Sequence, residues 1–239
     1  MIGSVSSLLI EDLTFWPSNR WAQPFPVGSH ARFGGRFLRE IEYIAAREAA
    51  GSVAEAYEVF ERFTMDLTAV HLRRMPARAQ SEPWDRKRRG TALPVPVSRR
   101  TSDFRTYVRS AYRGADDVLR RFRQSVPTFQ AGEDKAMNVQ GFDFGEWWAA
   151  VSAVRHAVVH NRAVVSVAQL AKLGPSRAKV LRAHFSGTDR SQGYRLRLNY
   201  ESGHRAIQHV VEYAFHLYKE VSRMDSLDPD VFKQVHIRT

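Results

Sequence analysis

The chain has 239 residues, of which 44% are hydrophobic and 26% charged, so it carries enough apolar material for a sizeable core and does not read as disordered. It contains no cysteine, which excludes disulfides, cysteine-ligated zinc and thiol nucleophiles. A net charge of +11 and a pI near 10.3 point to a polyanionic partner, nucleic acid first among them, unless the chain is simply arginine-rich.

The first ten residues lack a basic stretch and run into Glu11-Asp12, so they do not read as a signal peptide. No uncharged apolar run approaches the ~20 residues of a membrane span. The expectation is a cytoplasmic protein with no membrane partner. Residues 1–30 interleave Phe15, Trp16, Trp21 and Phe25 with Pro17, Pro24 and Pro26. Proline stops helix and sheet pairing, which leaves an irregular strap over the core or an arm reaching to a partner subunit.

Helical spacing of Phe37, Ile41, Ile44 and Glu48 predicts a helix from about Gly35 to Ala50, stopped by Gly51. Ser52-Val53-Ala54-Glu55 has the form of a capping box and opens a second amphipathic helix, reaching about Leu72. So short a turn predicts antiparallel packing of the two. Residues 71–100 then change character. Nine arginines and lysines oppose only Glu82 and Asp85, and nine minus two leaves +7 of the total. Four prolines argue for a long basic loop, functional or merely solvated. In it Trp84 could stack on a base while Arg86, Lys87, Arg88 and Arg89 hold phosphates.

A third helix is expected from Thr101 or Ser102 to Pro127, with Phe104, Val108, Ala111, Ala115, Val118, Leu119 and Phe122 inward and Arg105, Arg109 and Arg113 along one edge. Residues 126–141 read as a loop. Asp143-Phe144-Gly145-Glu146 caps the fourth helix, whose core face is Trp147, Val151, Val154 and Val158. Two short helices follow, Val167–Leu173 and about Pro175–Phe185. Strict alternation predicts a strand over 194–200 with Tyr194, Leu196, Leu198 and Tyr200 inward, its mate being Ala163–Val167 if that segment is extended. The last helix runs from about Gly203 to Met224, and a loosely held tail begins at Asp225. The fold class is therefore mainly α: a four-to-five-helix up-and-down bundle over 31–224, with a small β-containing insertion before the last long helix.

The fourth helix ends in Arg155, His156, His160, Asn161 and Arg162, an unusual density of ionisable groups for an apolar helix. An imidazole at 156 or 160 can move protons near neutral pH. An arginine at 155 or 162 can grip a phosphate or stabilise a phosphorane. The set lacks a carboxylate pair, which suits phosphodiester transfer better than glycoside or peptide hydrolysis. At about 100° per residue, His156 and His160 share a face whereas Arg155 and His160 stand about 140° apart. Convergence of Arg155 and His160 therefore calls for a helix end near His160, an arginine that reaches around, or a second subunit. Two other readings stand beside this one. The i, i+4 histidines could chelate zinc, although Ala157 removes the base of an HExxH motif and no third ligand is evident. The polar cluster could also serve structure alone.

Arg155-His156-Ala157-Val158-Val159-His160-Asn161 resembles the signature of the HEPN superfamily: an arginine, often a polar residue, three variable positions and a histidine. The resemblance is firm over about 142–166 and extends to the bundle from 35 to 224. It implies a homodimer in which two signatures line one cleft. It further implies a metal-independent endoribonuclease, without cofactor, acting as a toxin or defence effector under an antitoxin or other regulatory partner. In that reading His160 is the acid/base, Arg155 stabilises the transition state and His156 is the polar second residue. Asn161 and Arg162 flank the site as RNA-binding candidates. Some members of the superfamily only bind nucleotides or scaffold partners, which gives a non-catalytic alternative. A third reading takes Ser166–Val180 as a helix-turn-helix for DNA, although Ala171 and Gly174 stand three apart where that motif has four.

Overall fold

A computed structural model describes residues 30–74, 87–88, 91–92, 94–97, 100–135 and 140–225. The strap at 1–29 and the tail beyond 225 lie outside them. The chain divides into two units, Met1–Ala45 and Ala46–Thr239. In the first, the described residues 30–45 are all helical. Apart from the start of the first helix, everything below concerns the second.

The elements in chain order are α1 (His30–Arg74), β1 (Lys87–Arg88), β2 (Thr91–Ala92), α2 (Thr101–Ala111), α3 (Ala115–Ser125), α4 (Pro127–Glu133), α5 (Phe144–His160), β3 (Val164–Ser166), α6 (Val167–Leu173), α7 (Pro175–His184), β4 (Gly187–Arg190), β5 (Gly193–Leu196) and α8 (Tyr200–Met224). The fold is mainly helical with a small β element before the last long helix, as the sequence predicts; that element is a three-stranded antiparallel sheet of order β3-β5-β4.

The long helices alternate in direction. Arg105 on α2 meets Asp66 on α1 at 2.9 Å, while Ala115 at the start of α3 reaches Glu61, so α2 runs against α1. The return of α3 brings Phe122 to His71. Phe144 and Trp147 of α5 meet Tyr213 and His209 of α8 in reverse order. The core between them is largely aromatic. Tyr57 and Trp148 stack at 4.5 Å with planes 5° apart, and Tyr213 stacks on both Phe60 and Phe144. Such pairs contribute about 0.5–1.5 kcal/mol each beyond their area burial. The indole Nε1–H of Trp148 donates to Asp116 at 2.7 Å, so this large ring is buried with its polar atom satisfied.

Several expectations are corrected. The helices predicted on either side of Gly51 are one helix, α1, and Ser52 donates back to the Glu48 carbonyl at 3.0 Å instead of capping anything. A mid-helix glycine costs about 1 kcal/mol. Here it is outweighed by burial of Ala50, Val53, Ala54 and Tyr57 around it. The helix also continues to Arg74, and the stretch expected as a loop contains the antiparallel pair β1–β2, with Lys87 opposite Ala92 and Arg88 opposite Thr91. The predicted third helix breaks at residues 112–114, where Gly114 has φ 123°. Arg113 therefore leaves the edge shared by Arg105 and Arg109, and its N–H turns to Asp117. The expected loop at 126–141 holds α4, because Pro127 begins a helix rather than only ending one.

The capping of α5 by Asp143 and the pairing of residues 164–166 with the predicted strand are as expected; Glu146 N–H donates to Asp143 at 2.7 Å. Tyr194, Leu196 and Leu198 are buried, but Tyr200 is 78% exposed and starts α8 behind an Asn199 cap. The third strand, β4, was not anticipated. Asp225, expected in a loose tail, is buried and lies 2.8 Å from His71 Nδ1.

Candidate functional site

The first part of α5 belongs to the core: Phe144, Trp147, Trp148, Ala150, Val151, Val154 and Ala157 are buried. That burial fixes the rotation of the helix and turns positions 156, 159 and 160 outward. His156 and His160 are both exposed, with ring centroids 4.9 Å apart, as expected for an i, i+4 pair. Val158, expected on the core face, is only partly buried, and Val159 is 48% exposed.

Arg155 leaves the helix on a different side. Its Nη2 donates to Glu58 Oε1 at 3.1 Å, and its Nε is buried without a hydrogen-bond partner. Beside it the Tyr57 hydroxyl is pushed up to about 12, chiefly by burial, with a Ser152 hydrogen bond pulling it down, Asp116 and Glu61 raising it further, and the Arg155 charge lowering it. The phenol is therefore neutral at physiological pH.

The helix ends at the second histidine of the pair. His160 is its last residue and Asn161 the C-cap. Arg162 and Ala163 follow with φ of 50° and 61°, two successive non-glycine residues in the left-handed region. The bend is held because Asn161 N–H and Ala163 N–H both donate to the Ala157 carbonyl, at 3.0 and 2.9 Å. Asn161 Nδ2 donates to Gln169 Oε1 at 3.3 Å, and the same oxygen accepts the Ser166 N–H at 2.9 Å in a true capping box at the start of α6. Asn161 thus ties the helix end to α6, and Arg162 is exposed.

The structure brings His156 and His160 together, and Asn161 and Arg162 adjoin them in the chain. It engages Arg155 with Glu58, a residue that sequence reasoning missed because it lies 97 positions away. Arg86 and Arg89 lie outside the described residues. Lys87 and Arg88 are described only as backbone of β1. Among the described residues no group of three or more His, Asp or Glu side chains is arranged to hold a metal ion. None of the described helices is long and apolar enough to cross a membrane. The segment read as a helix-turn-helix forms α6 and α7, separated by Gly174 alone, whereas that motif uses a turn of three or four residues.

Compared with models of protein families, with curated proteins and with solved structures, the chain matches none of them.

Proposed function

We propose that this protein is a metal-independent endoribonuclease whose centre is Arg155 and His160. The observation that carries the reading is an R-x4-H spacing on a helix that stops at its histidine, with the His156 and His160 rings presented to solvent. In the reaction, His160 accepts the proton of a ribose 2′-hydroxyl as that oxygen attacks the adjacent phosphorus. Arg155 offers its guanidinium to the developing phosphorane charge. The bond from phosphorus to the 5′-oxygen breaks, and the leaving oxygen takes a proton from an imidazolium. The products are a 2′,3′-cyclic phosphate and a 5′-hydroxyl. Because Arg155 and His160 leave α5 on different sides, the reading includes a homodimer in which a second copy completes each centre. A toxin or defence role, with an antitoxin partner, rests on the HEPN resemblance.

The test is incubation of the purified protein with single-stranded RNA in EDTA. Cleavage with 5′-hydroxyl ends, lost in His160→Ala, is expected. No cleavage, or equal cleavage by the variant, removes the catalytic reading.

A second reading, a non-catalytic nucleotide- or protein-binding module, has one observation in its favour: Arg155 is already engaged by a carboxylate. It predicts stable binding without turnover.

A further inference from the structure

The outward face of the small sheet carries a feature that the R-x4-H reading does not use. Alternation along β5 and the residues after it sends Tyr194, Leu196 and Leu198 into the core and leaves Arg195 and Arg197 exposed on the opposite face. Arg190, at the end of β4, pairs with Gly193, and Val164 of β3 pairs with Arg195. Together Val164, Arg190, Ser191, Gln192, Arg195 and Arg197 line a cavity of about 410 Å³.

Three arginines line this cavity, and none of them has an acidic partner among the described residues. The adjacent carboxylate, Asp189, is held instead by Arg182 through two hydrogen bonds, at 2.9 and 3.2 Å. Like charges side by side on a sheet repel one another. No carboxylate among the described residues pairs with these arginines, so an anion is the natural complement. The planar fork of arginine matches phosphate oxygens in pairs. Gly193 lets β5 lie close against β3 beside the cavity: at φ 132°, a Cβ there would stand 2.1 Å from the Val165 carbonyl oxygen. The near wall, Val164, is four residues beyond His160, and the bend at 161–163 joins the two directly.

We infer that this arginine-lined cavity is a docking site for the phosphate backbone of a single-stranded RNA, placed to hold the strand beside the end of α5. The inference rests on the proposal that RNA is the substrate. A strand docked on the sheet gains affinity without contact with the reacting phosphate, so the cavity acts in binding and not in chemistry.

The experiment measures binding of a fluorescent single-stranded RNA by anisotropy across a salt series, in a His160→Ala background so that no strand is cut. The triple variant Arg190→Ala, Arg195→Ala, Arg197→Ala is compared with a charge-matched control, Lys172→Ala, Arg177→Ala, Lys179→Ala, whose three residues are exposed on α6 and α7. The sheet variant is expected to bind at least about tenfold more weakly, and to lower the slope of log affinity against log salt by about 2, since each phosphate contact to a single strand contributes about 0.7. The control is expected to stay within about twofold. Equal loss in both variants, no loss in the sheet variant, or no RNA binding by the parent overturns the proposal. Cleavage by the protein with His160 intact is read separately. If RNA is not cut while the sheet variant still loses binding, the nuclease reading fails and the docking site stands. If RNA is cut and binding is indifferent to the three arginines, the reverse holds.

Discussion

Arg155 Nη2 lies 3.1 Å from Glu58 Oε1, joining the helix that ends at His160 to the middle of α1. The Arg155 side chain is 30% exposed and the Glu58 side chain 50%, so water screens the pair and it contributes only about 0.2–1 kcal/mol. An RNA phosphate can displace such a carboxylate. Glu58→Gln is therefore expected to leave the melting temperature nearly unchanged and to tighten RNA binding by about threefold, because a competitor for the guanidinium is gone. Anisotropy titration in a His160→Ala background measures this. Weaker binding would show that Glu58 aims the arginine at its ligand and does not compete for it.

A second charged cluster joins the half-buried Arg123 to the buried Glu133 and Tyr213. Arg123 donates from Nε and Nη2 to the two oxygens of Glu133, at 2.7 and 2.8 Å, and also from Nη2 to the Tyr213 hydroxyl, which in turn donates to Glu133. Burial works against the Arg123 charge, but the Glu133 carboxylate holds the guanidinium above its ordinary range. Burial, reinforced by Glu133, holds the Tyr213 phenol well above its own. Glu133→Ala is expected to destabilise by somewhat less than the ~3–5 kcal/mol of a fully buried pair, since the Arg123 side chain it leaves unpaired is 29% exposed, and Tyr213→Phe by about 1 kcal/mol. The combined change Arg123→Met, Glu133→Leu and Tyr213→Phe, which leaves no buried hydroxyl unpartnered, should recover most of the loss. Urea denaturation of the four proteins checks the order, and a Glu133→Ala variant as stable as the parent would refute it.

Ala163 offers the opposite kind of test. Its φ of 61° costs an L-residue about 1–2 kcal/mol. Glycine pays no such penalty, although it enlarges the freedom of the unfolded chain by about 0.4–1 kcal/mol. Ala163→Gly is expected to be neutral or stabilising by up to about 1 kcal/mol, whereas Ala153→Gly, inside α5, should destabilise by about that amount. Thermal melts of the two variants decide the matter; equal destabilisation would mean that the bend is unstrained.

His184 gives a pH dependence. Burial, with His209 and Arg205 adding to it, lowers its pKa below the ordinary 6.5. Its ring packs edge-on against Phe142, 4.6 Å away. The unfolded imidazole binds a proton that the folded one resists. This contribution to stability is fully present above the unfolded pKa, falls as the pH drops through it, and levels off once the folded imidazole also protonates. The melting temperature is expected to decline from about pH 8 to about pH 5, less steeply in His184→Gln. An unchanged slope in the variant would exclude His184 as the source.

The parts of the fold legible in the sequence are those where one local rule suffices. Asp143 three residues before Glu146 announces the α5 start, and the alternation of Tyr194, Leu196 and Leu198 fixes both a strand and its inner face. The misreadings come where two rules compete. Gly51 has the composition of a stop but sits in a stretch whose burial outweighs its propensity. Pro127 ends one helix and begins the next, and only the first role was read. At the candidate site, Arg155 and His160 are visible as a spacing. Glu58 is not, since it meets Arg155 from 97 positions away, and neither is the Arg190, Arg195 and Arg197 cavity, since it depends on β4, a strand the sequence did not announce. One signal was available: arginines alternating with buried residues on a predicted strand mark a cationic face.

The bend after α5 is clamped at both ends, by Asn161 against the Ala157 carbonyl and by Val164 against Arg195. Between them the number of residues is a gauge. Strand side chains alternate faces, so one residue inserted at Arg162 or Ala163 turns Val165 from the core to solvent and sends Val164, the wall of the arginine cavity, inward. A substitution there can be absorbed. A change of length cannot, and in one step it uncouples the histidine-bearing helix end from the sheet beside it.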